Sequence, residues 1–362
     1  MLRADSGSPA DRYRSQAAQS AALRFYRTSR AYPDQGTGHP NSYQLFLERA
    51  LRLTRPGGRI GLLLPSGIAT DRGSTALRRH LFERTSIDSW IVFDKRRRIF
   101  PIHRSVRFVL MSTTNGGSTT ALRCRSGVTD PAELHSGGEQ ATLTIARSRL
   151  ESWNPEHLTI PDIPDTAALS VLTDITDRVP PLSAPGGWNA RFGRELNATD
   201  DRPQFAALSD RHTGLLPIVE GKQLAPFQVD VRRSRSGIPA TAAAAIVEPA
   251  QSFARHRVGY RDVASATNRL TLIAAMLPAG VISTHTVFCL KTAMTDEDQW
   301  CLLGLLNSLV ANFLVRLQVT THVTTTMMSR LPVPKPPTAI ADELAALSRR
   351  LAETGISEAP TE

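Results

Sequence analysis

The segment RPGGRIGLLLPSG at residues 55–67 constrains the fold most strongly. A proline and two glycines turn the chain, an apolar run follows, and a Pro-Ser-Gly corner ends it. A near-continuous apolar run of this length is typical of a strand that is buried on both faces of a parallel sheet. The segment therefore predicts an α/β domain, with a corner at which a ligand could lie.

The segments around this strand extend the prediction. Apolar residues at helical spacing predict one helix over residues 42–54 and another over about 74–84. The segments IDSWIVFD and SVRFVLMST follow as two strands on either side of a basic loop. Helix, strand, helix, strand, strand is the order expected for the second half of a doubly wound sheet that ends in a hairpin.

The chain is long enough for two cores, because 41% of its 362 residues are hydrophobic. Pattern changes predict a polar lead over 1–40, a first domain over 41–185, a second domain of short strands over 186–336, and a C-terminal helix and tail over 337–362. The apolar run at 301–317 contains two asparagines and an arginine, so we expect a buried core helix and not a membrane span.

Composition favours a polyanionic partner. The formal charge is +10, from 43 Lys and Arg against 33 Asp and Glu, and most of the cations are arginines, whose planar fork suits phosphate. Frequent arginine codons in a high-GC genome would produce the same excess. Three scattered cysteines indicate neither a zinc site nor a disulfide framework, and a polar start without an apolar core indicates a cytoplasmic protein without a signal peptide.

A basic run beside aromatic residues is the most informative local motif. Arg96, Arg97 and Arg98 precede Phe100, and Phe108 follows. Cations that neutralise phosphate next to a ring that stacks on a base are what a nucleic-acid groove requires. A solvated hairpin loop is the alternative interpretation.

Two short motifs suggest other chemistry. DQGTG at residues 34–38 imitates a nucleotide-binding loop but lacks the flanking strand and helix, so a plain loop is favoured. Glu220 and Lys222 in PIVEGK, with Asp200 and Asp201 upstream, would suit a metal-dependent nuclease. The simpler interpretation of PIVEGK is a strand that ends in a polar turn.

The order of segments from SYQLFLERALRLT through RPGGRIGLLLPSG to IFPIHRSVRFVLM resembles the C-terminal half of the catalytic domain of adenine-specific DNA methyltransferases. The specific family is the large type II, type IIG-like restriction-modification methylases. Downstream segments such as PIVEGKQLAPF and AGVISTHTVFCL resemble that family's target-recognition region. The resemblance implies the C-terminal half of a Rossmann-like sheet, followed by a mixed α/β target-recognition domain.

Two elements on which the family's catalysis depends do not occur in the sequence. They are the glycine-rich loop that binds S-adenosylmethionine and the Asn-Pro-Pro-aromatic tetrapeptide that holds the target amino group. The resemblance places Met1 just beyond that tetrapeptide, so it assigns this chain no catalytic, cofactor-binding or metal residues. We expect S-adenosylmethionine to be bound by a separate N-terminal chain or by residues lost upstream, and this chain to be inactive alone.

Site residues also follow from the resemblance. For the pocket that receives the flipped base it implies Pro65, Ser66 and either Phe100 or Phe108, with Phe100 preferred. For DNA binding it adds a set of polar residues in the second domain to Arg96–Arg98: Lys222, Arg261, Asn268, Arg269, Thr284 and His285.

The implied partners are double-stranded DNA and an N-terminal methyltransferase chain or other restriction or defence subunits. Half of a sheet would expose an apolar edge unless a partner covers it. Whether the chain is itself an enzyme stays open at this point. The alternatives are a non-catalytic DNA-specificity module of a restriction or defence complex and the nuclease that uses Glu220 and Lys222.

Overall fold

The computed structural model describes residues 9–28, 30–35, 41–94, 99–100, 107–136, 142–208, 214–266, 268–319 and 321–354. The chain divides into two compact units, the first ending at Leu169 and the second beginning at Ser170. The predicted functional domains, with boundaries after residues 40, 185 and 336, divide the chain by role and stay predictions.

The first unit alternates helices and strands. Its helices are α1 (Pro9–Thr28), α2 (Ser42–Leu53), α3 (Gly67–Thr70), α4 (Thr75–Arg84), α5 (Glu133–Ser136), α6 (Arg147–Trp153) and the start of α7 (Thr166–Arg178). Its strands are β1 (Arg59–Pro65), β2 (Thr85–Phe93), β3 (Phe108–Asn115), β4 (Ala121–Val128) and β5 (Leu143–Ala146). The predicted order of α2, β1, α4, β2 and β3 is therefore confirmed.

These strands form one mixed sheet in the order β1-β3-β2-β4-β5. Strand β3 pairs antiparallel with both β1 and β2, whereas β2 and β4 run parallel. The predicted α/β class and the β2–β3 hairpin are confirmed.

The predicted burial of β1 on both faces of a parallel sheet is wrong, whereas the predicted open edge is present among the described residues. This strand lies at the end of the sheet and pairs, within the described residues, only with the antiparallel β3. Ile60 and Leu64 are buried, but Leu63 is 53% exposed. The physical reason is that β3 satisfies one edge only, so the other edge of β1 has no strand partner among the described residues.

The second unit is built from shorter elements. Its strands are β6 (Phe192–Gly193), β7 (Ala206–Ala207), β8 (Leu215–Val219), β9 (Leu224–Ala225), β10 (Gln228–Val229), β11 (Ser236–Pro239), β12 (Arg257–Arg261), β13 (Ala274–Leu277), β14 (Ile282–Ser283) and β15 (Val287–Leu290). Its further helices are α8 (Ala240–Ile246), α9 (Asp296–Leu306), α10 (Leu309–Arg316), α11 (Thr325–Arg330) and α12 (Thr338–Thr354).

Two four-stranded sheets organise the second unit, in the orders β14-β8-β11-β7 and β13-β12-β15-β6. One apolar cluster is centred on Val219, Leu277 and Val287, and a second on Ile218 and Ile282. Consecutive residues of β8, Ile218 and Val219, thus pack into different clusters, as expected when side chains alternate between the two faces of a strand.

The apolar run at 301–317 is not one core helix. It forms most of α9 and α10, which are bent by 60° at the break between them. Ser308 causes the break, because its side chain accepts a hydrogen bond from the backbone N–H of Ala311 and so caps a new helix. No single helix in the described part of the chain is long and apolar enough to cross a membrane, and this pair meets that test only when both helices are joined.

Candidate nucleic-acid interface

Three phenylalanines meet at one end of the sheet in the first unit. The register places Phe108 of β3 between Pro65 of β1 and Phe93 of β2. The rings of Phe93 and Phe108 are stacked with centroids 4.9 Å apart, and the ring of Phe100 meets that of Phe108 edge-on at 5.2 Å. The structure thus brings together Pro65, Phe100 and Phe108, which the resemblance had singled out, and adds Phe93.

Phe100 and Phe108 differ in how much of each side chain is exposed to solvent. Phe108 is 7% exposed and already stacks on Phe93, whereas Phe100 is 37% exposed. A flipped base needs an accessible ring face, so only Phe100 of this pair offers a surface for stacking. The basic residues Arg96–Arg98 lie outside the described residues.

The corner after β1 is held firmly. The backbone N–H of Ser66 donates to the carbonyl of Arg107 at 3.0 Å, which ties the corner to the start of β3. The guanidinium of Arg107 in turn forms an ion pair with Asp162. Ser66 and Pro65 therefore have a fixed position beside the aromatic cluster.

A buried arginine stabilises the same corner through hydrogen bonds to backbone carbonyl groups. The guanidinium of Arg78 donates hydrogen bonds to the carbonyl oxygens of Ile68 and Asp71 at 2.9 Å each and of His157 at 2.8 Å. Burial lowers the pKa of Arg78 to about 10, against the opposing effect of the nearby Asp71 carboxylate. The side chain stays cationic at neutral pH and joins α3 and α4 to the segment before α7.

In the second unit, four chain segments meet in what we call the recognition cluster: residues 220–222, 261–263, 284–286 and 321–323. The N–H of Gly221 donates to the hydroxyl of Thr286 at 2.9 Å, and the N–H of Asp262 donates to the carbonyl of Thr286 at 3.0 Å. An isolated bridge joins Val263 to His322. Residues far apart in sequence thus form one local surface.

The predicted DNA-binding residues in this cluster differ in accessibility. Lys222 has a side chain that is 68% exposed and forms an ion pair with Glu220 at 2.5 Å. His285 is exposed, and its Nδ1 accepts from the N–H of Ala198 at 3.3 Å. Thr284 is buried, and its hydroxyl lies 3.1 Å from that of Thr286. Arg261 donates to the carbonyl of Val263, which folds its side chain along its own segment.

The loop that carries Asn268 and Arg269 is held through its backbone. Arg316 of α10 donates to the carbonyl oxygens of Asn268 and Arg269 at 3.0 and 2.8 Å. Asn312, one turn earlier, accepts from the N–H of Thr271 at 2.8 Å. These contacts leave the side chain of Arg269 exposed and that of Asn268 half-buried.

Sequence reasoning missed Asp262, which is buried in the recognition cluster and pairs with His322. An aspartate directly after an apolar strand that ends in Arg261 was the available signal. Its partner lies 60 residues away, so the pairing depends on tertiary structure.

The geometry gives the nuclease alternative no support. Asp200 and Asp201 both accept hydrogen bonds from Asn197, and Glu220 is paired with Lys222. The described residues contain no group of three or more His, Cys, Asp or Glu side chains that could hold a metal ion.

The described residues also do not fit a nucleotide-type methyl donor. The carboxylate of Asp34, which a ribose would need, is bound by His80 Nδ1 at 2.6 Å. At the corner after β1, a side chain on Gly67 would collide with the carboxylate of Asp71, so no open cradle lies there. Strand β1 also leads into the four-residue helix α3, which is too short to supply an N-terminal phosphate site.

Comparisons with known proteins give one family match and several similar solved structures. Residues 13–100 match the family of Eco57I restriction-modification methylases. Among solved structures, the type IIL restriction-modification enzyme MmeI, solved in complex with DNA, is 12% identical with a TM-score of 0.52, over 95% of this chain and 48% of that one. The type IIG restriction endonuclease BpuSI is 15% identical with a TM-score of 0.38, over 96% of this chain and 48% of that one.

The likeness to MmeI shows a mixed α/β fold similar to that of a restriction-modification enzyme. The resemblance to restriction-modification methyltransferases that the sequence indicated is confirmed. This chain spans about half the length of these two solved structures. A comparison with curated proteins gives no significant match.

Proposed function

We propose that this chain is the C-terminal portion of a site-specific DNA methyltransferase that acts on the adenine amino group, within a restriction-modification or defence system. It supplies target recognition and part of the pocket for the flipped base. The observation that carries the proposal is the exposed ring of Phe100, held against the buried Phe108 beside the Pro65–Ser66 corner.

Each unit suits one part of this task. Extrusion of a base costs a few kcal/mol, which an aromatic wall partly offsets by stacking. Phe100 offers such a wall, and the contacts of Ser66 and Arg78 keep its surroundings rigid. In the second unit, Lys222 and Arg269 expose cations suited to phosphates, and His285 exposes a ring that can reach a base edge.

We further propose that S-adenosylmethionine is bound by a separate donor-binding polypeptide, because the described residues offer it no site. The open edge of β1 is the attachment surface. It presents one edge of β1 that has no strand partner among the described residues, together with the exposed side chains of Leu63 and, on the adjoining α2, Phe46 and Leu53. A strand and a helix from the donor-binding part would satisfy the backbone groups of this edge and cover these side chains.

The first experiment measures DNA binding and methyl transfer by the purified chain. Selection from a random duplex pool is expected to enrich a defined motif that contains adenine, while labelled S-adenosylmethionine transfers no methyl group to that DNA. Failure to enrich any motif would overturn the proposed role in target recognition. Transfer by the chain alone would overturn the assignment of donor binding to another polypeptide.

A second experiment tests the base pocket. With 2-aminopurine in place of the target adenine, the wild-type chain is expected to change the fluorescence of the probe as it unstacks, and Phe100→Ala to reduce that change. Phe25→Ala is the matched control, because Phe25 is also an exposed phenylalanine of the first unit. An equal effect of both substitutions would contradict the role of Phe100.

A non-catalytic specificity module is the second candidate, favoured by the lack of a donor site in the described residues. The two candidates differ in what they bind. Stable co-purification with a donor-binding chain, followed by methyl transfer, supports a split enzyme, whereas DNA binding without any such partner supports the module.

A further inference from the structure

We propose that His322, oriented by Asp262, accepts a hydrogen bond from the exocyclic amino group of an adenine or cytosine in the recognised DNA. The proposal rests on the proposed function and adds a specificity-determining residue to it. It concerns two side chains for which the sequence suggested no role in DNA recognition.

The pair has an asymmetric environment. Nδ1 of His322 lies 2.8 Å from Oδ2 of Asp262. The carboxylate is 12% exposed, whereas the imidazole is 53% exposed. A histidine that only stabilises the fold is usually buried with both ring nitrogens satisfied. In this pair the buried member is the aspartate, so the exposed histidine is the member that is oriented.

Backbone contacts fix both residues. The N–H of Val323 donates to the carbonyl of Asp262 at 2.8 Å, and the N–H of Ala264 donates to the carbonyl of Thr321 at 3.1 Å. Asp262 and His322 therefore lie on two segments that pair with each other. The imidazole is held at its backbone and at Nδ1, which reduces the entropy lost when it binds a partner.

The carboxylate sets the tautomer of the ring. An ionised aspartate only accepts hydrogen bonds, so Nδ1 of His322 must carry the proton that it donates. In the neutral imidazole, Nε2 is then a hydrogen-bond acceptor. Nε2 has no hydrogen-bond partner among the residues that the structure describes.

An outward acceptor complements only some base edges. In the major groove, adenine offers its N6 amino group and cytosine its N4 amino group, whereas guanine and thymine offer no donor there. Phosphate oxygens are acceptors and would repel Nε2 in this tautomer. The exposed cation of the recognition cluster, Lys222, is suited to phosphate instead.

The position of the pair agrees with a role in recognition. The N–H of Asp262 donates to the carbonyl of Thr286, and the N–H of Gly221 donates to the hydroxyl of the same residue. His322 is thereby connected to the segment of Lys222 and to that of His285. One surface thus combines a fixed acceptor with an exposed cation.

The test uses the full chain and the motif obtained by selection from random duplexes. We expect His322→Ala to lower the preference for one base pair by about tenfold while affinity for unrelated DNA stays constant. The group contacted in that base pair should be the amino group of its adenine or its cytosine. Replacing the adenine by purine, or the cytosine by 2-pyrimidinone, should cause the same loss in the wild type and no further loss in the variant.

The matched control is His256→Ala. His256 also pairs with an aspartate, Asp296, at 2.5 Å and is exposed to a similar extent, but it lies outside the recognition cluster. Its replacement should leave the preference at every position of the motif unchanged. The same loss of preference in both variants would overturn the proposal.

A second measurement does not depend on a folded alanine variant. The imidazole ¹⁵N shifts of the free wild-type chain should show a protonated Nδ1 and an unprotonated Nε2 in His322. Asp262→Asn removes the obligatory acceptor, so the tautomers should mix and the preference at the same base pair should fall. The opposite tautomer in the wild type would overturn the proposal.

The remaining outcomes separate this proposal from the proposed function. Equal weakening by His322→Ala on all DNA would indicate a phosphate contact and overturn this inference alone. A lost preference that the wild type does not reproduce when the exocyclic amino group is removed, with purine or 2-pyrimidinone in the site, would do the same. If the chain bound no DNA, the proposed function and this inference would both be overturned.

Discussion

At the scale of single residues, Arg78 holds the corner beside the proposed base pocket. It is fully buried and donates to backbone carbonyls from three segments, including those of Ile68, Asp71 and His157. Arg78→Met fills most of the volume but leaves these oxygens without donors. We expect the free energy of unfolding to fall by about 3 kcal/mol or more, measured by urea denaturation.

Arg84→Met is the control for this change. Arg84 lies on the same helix, α4, but its side chain is exposed and makes no hydrogen bond to a described residue. Its replacement should change stability by less than about 0.5 kcal/mol. If both substitutions cost the same, the buried hydrogen bonds of Arg78 would not be the cause.

Glu195 and Arg257 form a fully buried ion pair in the second unit. Arg257 donates to both carboxylate oxygens of Glu195 at 2.7 Å, and Ser283 donates to the same carboxylate. Burial raises the pKa of Glu195, but the hydrogen bonds and charge of Arg257 outweigh it and hold the pKa below the ordinary 4.5. Glu195→Gln leaves a buried cation unpaired and should cost about 3–5 kcal/mol at neutral pH.

The direction of the pKa shift fixes the pH dependence. Because the folded-state pKa of Glu195 is depressed, its stabilising contribution is present above the ordinary pKa and is lost as pH falls through the folded value. Between about pH 6 and about pH 3, the melting temperature of the wild type should fall further than that of Glu195→Gln. The exposed Glu343→Gln should follow the wild type, and a parallel decline of all three proteins would contradict the assignment.

At the scale of elements, the open edge of β1 has a measurable consequence. It combines an edge that has no strand partner among the described residues with the exposed side chain of Leu63, and this combination promotes strand-to-strand association. We expect the purified chain to self-associate at micromolar concentration and Leu63→Lys to shift it towards the monomer in size-exclusion chromatography with light scattering. A charge on an edge strand opposes pairing with a second strand.

Val171→Lys is the matched control, because Val171 is an aliphatic residue on α7 that is exposed to a similar extent as Leu63. It should leave the self-association unchanged. Monomer formation in both variants would point to a general effect of charge and not to the edge of β1.

How much could be predicted from the sequence also differs by element. The periods of α2 and α4 and the apolar run of β1 were sufficient to identify these elements, because each depends on nearby residues. The apolar run of β1 wrongly predicted burial on both faces of a parallel sheet, since such a run does not specify how many strands pair with it. The exposed edge of this strand was expected only from the resemblance to half of a sheet. The break between α9 and α10 was missed because composition outweighed the capping signal of Ser308.

The candidate site shows the same limit. Phe100, Lys222 and His285 were identified through the order of segments, which is linear information. Phe93 and Asp262 were not, because their roles depend on strand register and on a pairing across 60 residues. Tertiary neighbours of this kind cannot be derived from a single sequence without its fold.

At the scale of the whole molecule, the formal charge of +10 predicts DNA binding that weakens steeply with salt. The salt dependence can be tested at Lys222. Its side chain is largely exposed and forms an ion pair with Glu220. To contact a phosphate, the ammonium must exchange the carboxylate for it. Lys222→Ala should therefore lower the slope of log K against log salt by about one on any duplex.

Glu220→Gln should raise the affinity for DNA, because it frees the ammonium of Lys222 without removing it. Arg178→Ala provides the control, since Arg178 is exposed on α7 outside the recognition cluster. A phosphate contact requires that Lys222→Ala weaken specific and non-specific DNA alike, whereas His322→Ala changes preference alone. If Lys222→Ala instead changed the preferred motif and not the slope, Lys222 would contact a base edge, and the cationic surface would have to lie elsewhere in the chain.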